Sequence, residues 1–121
     1  MGIQNLSEDV LLVTLLPEEP QITLPLKEPQ ITNELKKLNE FVSDRSDYNV
    51  IIDFSRVEVI NSSSISNLLI LRRLLQERKR KLILSNVAII TKCIFMVAGL
   101  DKIFTFADDP STALETMQHA N

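Results

Sequence analysis

The chain has 121 residues, a length that suits one domain, and 45% of them are apolar, which excludes a disordered chain. Its formal charge of -3 gives no electrostatic basis for nucleic-acid binding, where phosphate neutralisation supplies most non-specific affinity. Trp is absent and aromatics make up 5%, so the core is expected to be aliphatic, with Phe54, Phe95, Phe104 and Phe106 added.

Residues 10–16 form a β-like apolar run stopped by Pro17, and residues 21–24 read as a second strand between Pro20 and Pro25. Proline removes a ladder donor, so residues 1–28 are expected to be an edge-strand region. Ile31, Leu35, Leu38 and Val42 then recur at helical spacing, predicting a helix from about Pro29 to Ser43. Residues 48–54 hold a continuous β-branched run, as in a central strand covered on both faces. Asn61, Ser62, Ser63 and Ser64 offer N-caps for a long helix through about Arg80. Residues 81–84 are a second buried strand, residues 87–98 a helix, and Gly99 stands where a left-handed cap residue belongs. A short strand at 102–106 precedes a last helix capped around Asp108 and Asp109 and carrying Ala113, Leu114 and Met117.

From residue 48 onward strands alternate with helices, and a helix is the usual crossover between parallel strands. The expected fold is therefore α/β, a mixed and largely parallel sheet with four helices, in a single domain spanning 1–121. There is no internal repeat, low-complexity segment or domain linker.

Catalytic chemistry is thinly provided. His119 is the only histidine and lies near the C-terminus, so a Ser-His-Asp triad would have to recruit the tail. Cys93 stands alone in an apolar run, which suggests an inert core thiol and excludes an intrachain disulfide. Asp108-Asp109 and Glu18-Glu19 match no hard-metal ligand pattern, and Gly2 and Gly99 cannot make a Gly-rich phosphate loop. No metal, cofactor or enzymatic activity is expected. The basic stretch Arg72-Arg73 and Arg78-Lys79-Arg80-Lys81 reads as the solvated end of a helix rather than a nucleic-acid or lipid patch, since no aromatics interleave with it. The N-terminus lacks a basic region followed by an apolar one, and no apolar run is long enough to cross a membrane, so a cytoplasmic protein with no membrane contact is expected.

The most informative stretch is residues 53–65, DFSRVEVINSSSI, in which a buried strand runs through a short loop into a hydroxyl-rich helix start. Two readings compete: the hydroxyls cap the helix, or one of them is a phosphoacceptor. In the helix that follows, Ile65, Leu68, Leu69, Leu71 and Leu75 share one arc that should face the sheet. Ile70 and Leu74 fall outside it, either packing on a neighbouring helix or forming an exposed apolar ridge that docks a partner.

This stretch resembles the central signature of STAS domains, whose best-known bacterial members are anti-sigma-factor antagonists. Asp53, Ser55, Val57 and Ile60 match its first half, and Ser62, Ser63 and Ile65 its second. The likeness continues through Leu82-Ile83-Leu84, Gly99-Leu100, Ile103-Phe104 and Ala113-Leu114. It implies a partner-binding switch in signal transduction and transcription regulation, which binds an anti-sigma factor or related serine kinase. The family's phosphorylated residue falls on Ser62, with Ser63 and Ser64 as secondary candidates, and a phosphatase would reverse the modification. Asn61, Ser62, Ser63, Ser64, Ile70 and Leu74 would form the docking face. Two positions depart from the family pattern: Asn61 replaces an acidic residue and Ser64 a glycine. They motivate an alternative, a non-phosphorylated scaffold or regulatory domain in a signalling complex. A homodimer is compatible with the sequence but not specified by it.

Overall fold

A computed structural model of the chain describes residues 1–16, 30–45, 47–58 and 60–119; the strand expected at 21–24 lies outside them. Two antiparallel strands open the fold, β1 (Gly2–Ser7) and β2 (Val10–Thr14). They are followed by α1 (Gln30–Ser43), β3 (Asn49–Asp53), α2 (Ser62–Glu77), β4 (Leu82–Ser85), α3 (Ile89–Val97), β5 (Thr105–Ala107) and α4 (Pro110–His119). The five strands lie in sequence order, and β2 through β5 are all parallel. Each parallel step is bridged by a helix, α1, α2 and α3 in turn.

The alternation of side chains along the strands assigns the two faces. Val50 and Ile52 of β3 join Val13 and Leu84 on one face, where Leu35 and Leu38 of α1, Leu68, Leu71 and Leu75 of α2, and Phe95 of α3 cover them. Ile51 points the other way and meets Val10, Ile83 and the α4 residues Ala113 and Met117. The β-branched run at 50–52 is thus buried on both faces, as its composition required. Phe95, fully buried, lies 5.4 Å from Phe104 and 5.6 Å from Phe106 between ring centroids, so one aromatic cluster ties α3 to β5.

The structure departs from the sequence reading in three places. β1 is an edge strand whose residues are exposed or half-buried, so it shows no apolar run. β5 is shorter and later than expected, because Ile103 and Phe104 donate backbone N–H groups to the Leu100 carbonyl and make a turn before the strand begins. Cys93 is exposed, not buried: in α3 only Thr91 and Phe95 are fully buried.

The basic stretch is largely engaged within the fold. The Arg78 guanidinium donates to the carbonyls of Val42, Ser43 and Arg45 at the C-terminal end of α1, where cations suit the helix dipole. Arg72 Nε donates to the Ile103 carbonyl, and Arg73 pairs with Glu77 one turn on.

Candidate functional site

The loop from β3 into α2 leaves the C-terminal edge of the parallel strands and is pinned at both ends. Asp53 Oδ1 accepts from the Ser55 backbone N–H at 2.9 Å and from Asn86 Nδ2 at 3.0 Å, joining this loop to the one after β4. Asn86 has φ of 54°, a left-handed conformation that asparagine tolerates better than most residues. Phe54, Val57 and Ile60 drop into the core from the loop, each at most 5% exposed. Their burial fixes the path of the chain to Asn61.

Asn61 is the N-cap. Its backbone is extended, its Oδ1 accepts from the Ser64 N–H at 2.8 Å, and its carbonyl accepts the first helical bond from Ile65. Thr32, from the first turn of α1, lies 3.0 Å from Ser64 Oγ and 3.4 Å from Asn61 Oδ1. One proton order satisfies the cluster: Ser64 donates to Thr32, and Thr32 donates to Asn61. The helix start is further held by Asn67, whose amide donates to the Ser63 carbonyl at 2.9 Å.

The hydroxyl cluster therefore divides. Ser62 and Ser63 are exposed in the first turn, Asn61 is half-buried, and Ser64 is fully buried against α1. Ser64 does not belong with the accessible residues: its hydroxyl is turned inward to Thr32, so the expectations that it contacts a partner or accepts a phosphate are corrected. Ser62, Ser66 and Ile70 follow one another at four-residue steps and are all exposed. They form a line along one side of α2. Ile70 is 50% exposed and Leu74 half-buried, so the apolar ridge rests chiefly on Ile70.

Elsewhere the opportunities for chemistry are few. A cleft of about 380 Å³, lined by Arg72, Arg80, Leu82, Ile103 and Met117 among others, opens where β4 and β5 begin, at the opposite end of the sheet from Ser62. Among the described residues no cluster of His, Cys, Asp or Glu is placed to hold a metal ion. Nor is any of their helices long and apolar enough to cross a membrane.

The sequence reading missed the outer side of α3, where Ile89 is 81% exposed and Val97 91% exposed. The signal was present: a nine-residue helix in which every residue but Thr91 and Lys92 is apolar cannot bury all of them against one sheet.

No curated protein matches the chain. Solved structures share its fold at low sequence identity. A serine-to-glutamate variant of RsbS from Moorella thermoacetica superposes with a TM-score of 0.73 at 16% identity, over 97% of this chain and 93% of that one. The anti-sigma factor antagonist SpoIIAA of Bacillus, in its phosphorylated form, gives 0.65 at 15% identity, over 94% and 96%. An anti-sigma-factor antagonist (STAS) domain protein from Planctomyces limnophilus gives 0.67 at 19% identity, over 90% and 91%. The sequence model of the STAS domain matches residues 17–113, most of the chain. With that match and a five-stranded mixed sheet of the same architecture, the chain belongs to the STAS domain family.

Proposed function

We propose that this STAS domain is a cytoplasmic regulatory switch that docks an anti-sigma factor or a related serine kinase at the entrance to α2, with Ser62 as its phosphoacceptor. The observation that carries the reading is the division of the hydroxyl cluster: Asn61 and Ser64 anchor the first turn to α1, while Ser62 and Ser63 are left exposed upon it. A rigid, accessible hydroxyl suits a kinase, and Ile70 further along the same line gives a partner an apolar contact. The likeness in fold to SpoIIAA, seen in a phosphorylated form, supports the same reading.

The chain itself performs no bond chemistry in this scheme. A kinase transfers the γ-phosphoryl group of ATP to Ser62 Oγ, releasing ADP and the hydroxyl proton, and a phosphatase restores the serine by hydrolysing the ester to inorganic phosphate. The modification adds about 1.5–2 negative charges at neutral pH. Sitting at a helix N-terminus, that charge is compatible with the fold. Its effect falls instead on a partner that packs against a neutral surface. A constitutive scaffold is the second reading, favoured by Asn61, which supplies the cap acceptor without the charge of a carboxylate.

Intact-mass measurement after incubation with source-organism lysate and ATP separates the two. One added phosphoryl group, lost in Ser62→Ala, supports the switch; an unchanged mass in lysate with demonstrated kinase activity supports the scaffold.

A further inference from the structure

We propose that two copies of this chain associate through α3, packed helix against helix across a two-fold axis that passes close to Cys93. The inference is independent of the switch reading, because it concerns a different helix and its test needs no partner.

Of the nine residues of α3, only Thr91 and Phe95 are fully buried. Ile89, Ile90, Ile94, Met96 and Val97 are 81%, 67%, 36%, 60% and 91% exposed, and Cys93 is exposed among them. At 100° per residue these six side chains fall on one continuous arc, and Cys93 and Val97 lie near its middle. The five large side chains together expose on the order of 600 Å², the size of the largest apolar patch on a typical monomer. Two such faces in contact could cover at most about 1,200 Å², a ceiling that reaches the lower end of what stable interfaces bury.

Charge favours a second copy as the occupant. The arc carries no ionisable side chain apart from the Cys93 thiol. Lys92, the helix's only charged residue, is half-buried on its flank with Nζ 5.9 Å from the Phe106 ring centroid. Two identical faces therefore meet without juxtaposing like charges, and neither presents a charge that a different partner would need to match. In an isologous contact the residue nearest the axis meets its own counterpart. Cys93 is small and central, so its two copies should come within disulfide reach. It is also the only cysteine of the chain, so a disulfide between two copies can form only at this surface.

Sedimentation equilibrium of the full chain over a concentration series should give twice the monomer mass of 13.7 kDa. The double variant Ile89→Asp, Val97→Asp, with circular dichroism like that of the wild type, should return to the monomer mass, a twofold change. Diamide, which takes up the two electrons and two protons released by a pair of thiols, should convert the wild type to a covalent dimer and leave Cys93→Ala unchanged. A wild-type monomer at every concentration overturns the proposal, including a monomer that binds lipid vesicles or another protein by this face. So does a dimer that survives the double variant, or one that diamide does not cross-link.

Discussion

Replacing Asn61 by alanine removes the side-chain acceptor at the start of α2. Its Oδ1 accepts from the Ser64 amide at 2.8 Å, a well-formed capping bond. The 3.4 Å approach of Thr32 Oγ1 is long and adds little, and Thr32 keeps Ser64 Oγ as a partner at 3.0 Å. The loss is therefore one cap, about 1 kcal/mol within a range of roughly 0.5–2, which lowers the melting temperature of a domain this size by about 3–6 °C. Asn61→Asp keeps the acceptor and adds charge at the positive end of the helix, worth about 0.3–1 kcal/mol at low salt. At pH 7 it should melt at or above the wild type. Thermal unfolding followed by circular dichroism measures both, and hydrogen exchange locates the effect: the Ser64 and Ile65 amides should lose protection in the alanine variant. An alanine variant with an unchanged melting temperature, or an aspartate variant as unstable as alanine, would refute the cap and with it the rigid presentation of Ser62.

Three further substitutions test other joints of the fold. Phe95→Ala empties a fully buried site between Phe104 and Phe106; a loss of about 3–5 kcal/mol is expected from the urea midpoint. Gly99 has φ of 74° with open space around the position of a Cβ, so Gly99→Ala should cost about 1 kcal/mol through backbone strain alone; a stabilised variant would contradict that conformation. The Asp109 carboxyl is held below its ordinary value of 3.8, first by the Thr112 backbone N–H and then by the Thr112 hydroxyl and the Ser111 N–H. A lowered pKa in the folded state stabilises α4 above the unfolded-state value, and that contribution is lost as pH falls through the folded-state value. Wild type should therefore melt above Asp109→Asn at neutral pH, with the gap closing in acid; a gap independent of pH would show that the charge plays no part.

How much of this was legible in the sequence depended on whether a residue's surroundings are local. Val50, Ile51 and Ile52 announce a strand covered on both faces because nothing else in a small domain accommodates three adjacent β-branched residues so well. Helices α1, α2 and α4 are equally plain, each marked by an apolar arc or by capping residues next to it in sequence. β1 was hidden because an edge strand has one neighbour and little to bury. Cys93 was misplaced because apolar side chains occupy most of the circumference of α3 and the polar Thr91 lies on its buried side, so periodicity could not tell which side meets the sheet. Ser62 and Ser64 are chemically identical, and what separates them is Thr32, 32 residues distant in the chain. That contact also accounts for the serine that stands in place of the family's glycine: its side chain is directed into the fold, where it braces the cap.

The partner's own affinity tests the switch most directly. A protein captured on the immobilised chain from source-organism lysate should bind Ser62→Glu at least about tenfold more weakly than the wild type, a difference of roughly 1.4 kcal/mol. Isothermal titration of both forms, with matched melting temperatures, gives the comparison. Equal affinities, in a complex that Ile70→Lys also leaves intact, would contradict docking at the entrance to α2.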